Sequence, residues 1–247
     1  MKNLLTAIQF LTRIPVPGQV GNGKMSRSMP YFPAVGLLIG GILVIINLTL
    51  SPFFPRLLVD VLLLITLILV TGAFHLDGFA DTIDGFYAGR SKEEALKIMR
   101  DARIGAMAVI GLICLLGLKL ALLYEIPEMF KSISLLVMPV IGRWMMALSG
   151  AVSAYARSSG GLGEAFTNRV GLKDFIYASF LPVVLILGLL QIRGIILIFL
   201  AVIFTLCLTA YIKKKIGGMT GDTLGAVNEI VEVMVLLSIL MMAGFNL

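Results

Sequence analysis

Three aspartates lie close together within the run H-L-D-G-F-A-D-T-I-D-G at 75–85. Spacings of four and three residues predict that Asp77, Asp81 and Asp84 share one face of a helix. Three like charges on one face repel, and a bound divalent cation would remove the repulsion. Carboxylate oxygens are ligands that Mg²⁺ accepts. The run therefore favours a magnesium site over the alternative, a solvated polar end of a helix.

A second acidic group stands near the carboxyl end, in G-G-M-T-G-D-T-L-G-A-V-N-E-I-V-E at 217–232. A glycine-rich loop that enters a helix suits an anion or a metal-bound phosphate. Glu229 and Glu232 fall on the same side of that helix as Asp222, with Glu229 about 10 Å further along it. Carboxylates inside a membrane are expensive and usually functional. The alternative is a buried structural pair, for instance with Arg143.

Basic residues follow the first acidic run, in R-S-K-E-E-A-L-K-I-M-R-D-A-R-I-G at 90–105. Ser91 and Glu94 form the pattern of a capping box, which predicts that a helix begins here. Two interpretations remain open for the segment. One is a salt-bridged helix at the membrane surface. The other is a phosphate-binding segment, since arginine and lysine pair well with phosphate oxygens; its candidates are Arg90, Lys97, Arg100 and Arg103.

The composition shows what kind of molecule must position these groups. Of 247 residues, 59% are hydrophobic and 14% are charged, whereas soluble domains have about 45–50% and about 25%. A soluble globular enzyme and a disordered chain are therefore excluded. Two cysteines inside apolar runs and a single histidine, His75, argue against a disulfide framework and a Cys- or two-His metal site. The net charge of +6 comes without a basic, aromatic-interleaved stripe, so we expect no nucleic-acid partner.

Apolar segments long enough to cross a bilayer predict an all-α fold, a polytopic transmembrane helix bundle of six to seven spans in one domain, 1–247. Residues 1–17 instead predict an interfacial amphipathic helix that ends at prolines. We expect a catalytic segment at 75–103 and a glycine-rich loop entering the last span at 213–232. The seven predicted spans are 32–50, 57–74, 104–123, 132–155, 175–190, 194–212 and 226–245.

The loop charges predict the orientation. Basic residues gather in alternate loops, which the positive-inside rule assigns to the cytoplasm. The amino terminus is then cytoplasmic and the carboxyl terminus outside, and both acidic groups fall on the cytoplasmic side, which favours one shared site. Fifteen basic residues lie on that side, against Arg56, Lys131 and Arg193 on the other: Lys2, Arg13, Lys24, Arg27, Arg90, Lys92, Lys97, Arg100, Arg103, Arg157, Arg169, Lys173, Lys213, Lys214 and Lys215.

Blocks over most of the chain resemble the cobalamin synthase family, the adenosylcobinamide-GDP ribazoletransferases. They are F-L-T-R-I-P-V-P at 10–17, F-P-A-V-G-L-L-I-G at 32–40, H-L-D-G-F-A-D-T-I-D-G-F at 75–86, I-M-R-D-A-R-I-G at 98–105, Y-A-R-S-S-G-G-L-G at 155–163 and the 217–226 glycine segment. The resemblance implies Mg²⁺-dependent transfer at the cytoplasmic face of a prokaryotic inner membrane. The ribose 3′-hydroxyl of α-ribazole, or of its 5′-phosphate, would attack the diphosphate of adenosylcobinamide-GDP, and GMP would leave.

Site roles follow once that reaction is assumed. Asp77, Asp81 and Asp84 would hold magnesium, and Asp222 would complete the coordination. Asp101 and Glu229 are both candidates for the general base, and His75 would orient a carboxylate. Phosphate-binding roles go to a further set of residues: Arg90, Arg100, Arg103, Arg157 and Thr220.

Two other functions stay open at this stage. One is a different membrane phosphotransferase of the CDP-alcohol type, which would differ in substrate. The other is a secondary transporter whose acids bind a coupling ion, an interpretation that Glu229 and Glu232 favour. The oligomeric state is also open.

Overall fold

The computed structural model describes residues 2–16, 25–158, 160–168 and 170–244. Within these ranges the regular secondary structure is helical. The described residues contain one isolated β-bridge, between Tyr155 and Met219. Short 3-10 helices cover Ser26–Tyr31 and Leu162–Phe166. The α-helices are α1 (Lys2–Leu11), α2 (Phe32–Leu50), α3 (Arg56–Thr71), α4 (Phe74–Ala88), α5 (Lys92–Ile98), α6 (Ala106–Glu125), α7 (Glu128–Ala151), α8 (Leu172–Leu190), α9 (Ile192–Ile216) and α10 (Gly221–Gly244).

Six of the described helices are long and apolar enough to cross a membrane: α2, α6, α7, α8, α9 and α10. The pair α3 and α4 passes the same test only when taken together, and its two halves meet at 90°. Gly72 and Ala73 make the bend with left-handed backbone at φ 63° and 58°. The prediction of an all-α bundle with six to seven spans is confirmed. The predicted span at 57–74 is corrected to α3 followed by a sharp turn into α4.

Helix α7 is the centre of the bundle. Every residue from Val137 to Gly150 is buried, and α7 packs most extensively against α2 and α10. A Cβ at Gly36 of α2 would lie 2.4 Å from the Pro139 carbonyl oxygen. Small residues let apolar helices approach closely enough to gain dispersion energy. The α2–α7 contact depends on that closeness.

Helices α4 and α10 also cross at glycines. A Cβ at Gly78 would lie 2.7 Å from the Asp222 carbonyl oxygen, and one at Gly225 would lie 3.2 Å from the His75 Cα. From the sequence, Gly78 and Gly85 would leave room for a ligand. That interpretation is wrong, because the Asp222 backbone occupies the space at Gly78 and the Met99 side chain occupies it at Gly85.

The amino-terminal helix packs on the bundle. Ala7 and Leu11 of α1 are fully buried, and the Arg13 backbone donates a 2.7 Å hydrogen bond to the Val70 carbonyl oxygen at the α3–α4 bend. The predicted helix is therefore present over Lys2–Leu11. Pro17, at the end of the predicted segment, lies outside the described residues, as do Lys24 and Arg169 of the loop-charge prediction.

The last helix begins earlier than predicted. Helix α10 starts at Gly221 and so includes Asp222 in its first turn. Helix α9 runs to Ile216 before Gly217 closes it with φ 80°. The predicted loop at 213–232 is therefore corrected to a short connection at 217–220, which places Asp222 on a rigid element.

Candidate active site

A backbone bridge joins the end of α7 to the start of α10. The Ala156 N–H donates to the Met219 carbonyl, and the Met219 N–H donates to the Ala154 carbonyl, each at 2.9 Å. Gly218 permits this approach, since a Cβ there would lie 2.4 Å from the Ala154 oxygen. The bridge holds Arg157 beside the first turn of α10.

Asp222 receives two side-chain donors. Arg157 Nη2 donates to Asp222 Oδ2 at 2.8 Å, and the Thr220 hydroxyl donates to the same oxygen at 3.3 Å. Thr220 is fully buried, and its hydroxyl oxygen also accepts from the Thr223 N–H at 3.2 Å. Thr220 therefore positions Asp222 and caps α10. Its predicted contact with phosphate stays a prediction.

Asp81 of α4 faces this pair. The half-buried carboxylate forms no hydrogen bond or salt bridge with any residue in the described ranges. It is repelled by Asp222, Asp77 and Asp84 and attracted by Arg157. The crossing at Gly78 thus brings the two acidic groups of the sequence to one place. Asp77 is exposed at its margin.

Asp84 has a different partner. Its two carboxylate oxygens accept backbone hydrogen bonds from Gly105 at 2.5 Å and Ala108 at 2.8 Å. These are amino-terminal N–H groups of α6, which have no partner within the helix. Asp84 therefore caps α6. We remove it from the proposed magnesium ligands, although its shared helix with Asp77 and Asp81 is as predicted.

The carboxylates near Asp81 can be compared with the ligands that Mg²⁺ requires. In the part of the chain that the structure describes, no three His, Cys, Asp or Glu residues converge closely enough to hold a metal. Mg²⁺ usually takes one or two carboxylates and completes its shell with water and substrate phosphates. Asp81 suits such a site, because no residue in the described part of the chain hydrogen-bonds to it and the neighbouring Asp77 and Asp222 repel it. The residues therefore fit a cation that arrives with a phosphate.

A basic cavity of about 440 Å³ opens between α5 and residues 156–158, and its lining includes Arg157, the hydrogen-bond partner of Asp222. One carboxylate, Glu93, and four cationic side chains line it: Lys92, Lys97, Arg100 and Arg157. Arg100 also donates a 3.4 Å hydrogen bond to the Gly160 carbonyl. Of the predicted phosphate ligands, Arg100 and Arg157 lie here. Arg90 and Arg103 are exposed and are not among the lining residues.

Asp101 pairs with its neighbour Arg103. The guanidinium donates to both carboxylate oxygens, the shorter bond being 2.7 Å. These hydrogen bonds lower the pKa of Asp101 to about 2. A carboxylate with so low a pKa accepts a proton poorly at neutral pH. The structure thus disfavours Asp101 as the general base.

A charged network lies inside the bundle, one to three turns along α10. Lys119 of α6 donates to Glu229 at 2.6 Å and to Glu232 at 2.5 Å. Arg143 of α7 donates to the other oxygen of Glu232, and the Asn228 amide donates to that oxygen at 3.0 Å. Two cations thus balance two carboxylates. The buried pair of Glu232 with Arg143, the structural alternative of the sequence analysis, is present.

His75 and Glu229 belong to this network. His75 is buried, with Nδ1 3.5 Å from Arg143 Nη2. Glu229 is 5% exposed and is paired with Lys119. A general base must reach the hydroxyl that it deprotonates, so this position disfavours Glu229 in that role. His75 therefore contacts Arg143 and joins α4 to α7. It does not orient the aspartates of α4, contrary to the sequence prediction.

Two functional residues were missed from the sequence. Lys92 lines the basic cavity, yet it was assigned only to the cytoplasmic loop charge; its helical spacing from Lys97 offered no sign of a shared cavity. Lys119 neutralises both buried glutamates. A signal existed for Lys119, because a lone cation within an apolar span needs a partner.

A family model described as cobalamin-5-phosphate synthase matches residues 3–240. The chain belongs to this family. The resemblance of the sequence motifs is thereby confirmed. Membership makes the chain a multi-span membrane transferase of cobalamin synthesis.

Individual relatives cover the chain almost completely. An adenosylcobinamide-GDP ribazoletransferase from Caldanaerobacter subterraneus is 40% identical over 235 residues, 94% of this chain and 95% of the relative. The protein of that name from Acetivibrio thermocellus is 40% identical over 93% and 94% of the two chains. That of Clostridium novyi is 37% identical over the full length of both. No solved structure matches the chain.

Proposed function

We propose that the chain transfers the cobinamide phosphate of adenosylcobinamide-GDP to the ribose hydroxyl of α-ribazole or its 5′-phosphate. The ribose oxygen forms a bond to the cobinamide-side phosphorus and its hydroxyl proton passes to solvent. The bond from that phosphorus to the bridging oxygen breaks, and GMP leaves with that oxygen. The observation that carries this proposal is the position of Asp81, a carboxylate to which no described residue donates a hydrogen bond, facing Asp222 beside a cavity that four cations line.

Diphosphate binding falls to the basic cavity. Lys92, Lys97 and Arg100 line one side and Arg157 the other. Cations hydrogen-bonded to phosphate oxygens make strong contacts, and they offset the charge that the leaving GMP accumulates. Arg157 has a further role, since its bond to Asp222 ties the cavity to the acidic group.

Asp77, Asp81 and Asp222 are the residues that would hold Mg²⁺. The bound cation would neutralise phosphate oxygens and fix their orientation. The chain's own contribution is alignment: the α4–α10 crossing presents the carboxylates next to the cavity. Phosphoryl transfer of this kind relies chiefly on positioning and charge stabilisation. A strong general base is therefore not required. This agrees with the salt bridges of the two candidates, since Asp101 pairs with Arg103 and Glu229 pairs with Lys119.

The proposed setting is the cytoplasmic face of a prokaryotic inner membrane, with the amino terminus inside and the carboxyl terminus outside. The uneven distribution of loop cations supports it. Single cysteines at exposed positions 92 and 129, in a chain without Cys114 and Cys207, test it. We expect a membrane-impermeant thiol reagent on intact cells to label position 129 and not position 92. The reverse pattern would contradict the orientation.

Neither alternative function gains support. The transporter interpretation relied on Glu229 and Glu232, whose charges are balanced by Lys119 and Arg143. No feature of the described residues favours a different phosphotransferase substrate.

The proposal is tested with purified chain, adenosylcobinamide-GDP, α-ribazole and Mg²⁺. We expect GMP and the joined cobalamin in equal amounts, and no CMP when a CDP-alcohol replaces the corrinoid. Absence of GMP from protein whose helicity and monodispersity are intact would reject the proposal. CMP release would instead support the broader phosphotransferase.

A further inference from the structure

A second polar cavity, of about 300 Å³, lies at the end of the bundle farthest from Asp222. It is enclosed by the end of α2, the 51–55 connection and the first turns of α3 and α7. Helix α7 separates it from Arg157 by about 35 Å, at about 1.5 Å per residue. The transfer reaction proposed above gives this cavity no role.

Its lining carries balanced charge. Lys131 and Asp60 are fully buried and form a 2.5 Å ion pair. Arg56 and Glu128 form a second, 3.4 Å pair nearer the surface, in which the Glu128 side chain is 65% exposed. Exposed pairs of this kind contribute little to stability. A ligand can therefore replace the contact between Arg56 Nη1 and Glu128 at small cost, while Arg56 Nη2 keeps its hydrogen bonds to the Leu123 and Ile126 carbonyl oxygens.

Polar atoms without partners face the same space. Asn47 lines the cavity and is only 6% exposed, and no described residue hydrogen-bonds its side-chain amide. Arg56 Nε is buried 3.9 Å from Asp60 Oδ2, and it too has no hydrogen-bond partner among the residues that the structure describes. Buried polar groups normally have partners, so such atoms indicate water or a ligand.

The surroundings of the cavity are apolar. Phe54 lines it and is partly exposed, while Phe53, Leu57 and Met129 nearby are exposed by half or more. An exposed apolar rim around a polar, charge-balanced hollow fits an amphiphile whose headgroup carries both signs. In a chain that crosses a bilayer, such an amphiphile is a phospholipid.

We propose that this cavity binds the headgroup of an aminophospholipid, a phosphodiester with a primary ammonium. Arg56 Nε and Nη1, the guanidinium nitrogens that do not bond to Leu123 and Ile126, donate to the phosphate together with the Asn47 amide. Glu128, Asp60 and the Ser51 hydroxyl oxygen accept from the ammonium. These acceptors favour a primary ammonium over trimethylammonium, which has no N–H to donate.

Binding to the purified chain in detergent, measured by native mass spectrometry, tests the proposal. The probes are dioleoyl phosphatidylethanolamine, phosphatidylcholine and phosphatidylglycerol, and soluble phosphoethanolamine. We expect phosphatidylethanolamine to bind about tenfold more tightly than either other lipid. Equal binding of the three lipids would overturn the proposal. So would equally tight binding of phosphoethanolamine, because the occupant would then be a soluble molecule.

A matched pair of variants locates the effect. Glu128→Gln should remove the tenfold preference, while Glu125→Gln removes the same charge from an exposed neighbour that does not line the cavity and should keep it. Both positions are exposed, so folding is not at risk. A preference that survives in Glu128→Gln, or disappears equally in Glu125→Gln, would place the lipid elsewhere and overturn the assignment.

Discussion

Arg157 Nη2 donates a 2.8 Å hydrogen bond to Asp222 Oδ2, a carboxylate 65 residues further along the chain. The bond joins the segment after α7 to the first turn of α10. Because Arg157 also lines the basic cavity, one side chain connects the acidic group to the place where we propose that phosphate binds. When a diphosphate binds, the Arg157 guanidinium can donate to it instead of to Asp222. The Asp222 carboxylate is then available to bind a cation.

Arg157→Ala should impair turnover strongly. It removes a charge-assisted contact from the cavity, which is worth about 10- to 100-fold in kcat/KM for the corrinoid substrate. Arg103→Ala is the matched control. Among the described residues Arg103 pairs with exposed Asp101 alone, so its loss should change kcat/KM by less than about threefold. Equal losses in the two variants would contradict a specific role for Arg157.

Asp81→Asn should separate activity from stability. The substitution removes repulsion with Asp77 and Asp222 and breaks no hydrogen bond of the described chain. We expect a melting temperature at least equal to that of wild type, with turnover lower by about 100-fold or more. Thermal unfolding in detergent and GMP release measure the two quantities. A clear drop in melting temperature would mean that Asp81 has a structural role.

Gly78→Ala should disturb the crossing of α4 and α10. The new Cβ would lie 2.7 Å from the Asp222 carbonyl oxygen, so the helices must separate. We expect lower stability and lost activity. Gly117→Ala on α6 meets nothing within 4 Å and should be neutral or stabilising by up to about 1 kcal/mol, as alanine favours helix. Wild-type activity in Gly78→Ala would show that the close crossing is dispensable.

Glu232→Leu should destabilise the bundle. Lys119 and Arg143 would lose their shared partner while still buried, a change that costs about 3–5 kcal/mol. Glu93→Gln, on the exposed surface of α5, should leave thermal unfolding unchanged. If the two variants had the same melting temperature, the buried network would not contribute to stability.

The sequence predicted the fold well because composition and apolar period determine it directly. Six of the spans begin and end within a few residues of the predicted positions. The exception is 57–74, where a turn at Gly72 and Ala73 redirects the chain. Hydropathy does not reveal this turn, because two residues with left-handed backbone conformation do not change the apolar character of the segment.

The site was predicted in part. The spacing of Asp77, Asp81 and Asp84 correctly gave a shared helix, but a helix face does not reveal its neighbours. Asp84 meets amides that lie 21 and 24 residues away in sequence, and only tertiary structure creates that contact. Asp81 and Asp222 meet for the same reason, through a crossing that Gly78 permits.

The central claim is that Asp81 would be a ligand of a divalent cation that the transfer requires, and GMP release measured against Mg²⁺ concentration tests it most directly. We predict that the wild-type rate rises with Mg²⁺ and falls to background in EDTA. Asp81→Asn should stay near background at every concentration, while Glu125→Gln, which removes an exposed carboxylate that does not line the basic cavity, should follow the wild-type curve. Wild-type turnover that persists in EDTA, or wild-type turnover by Asp81→Asn at saturating Mg²⁺, would contradict the claim.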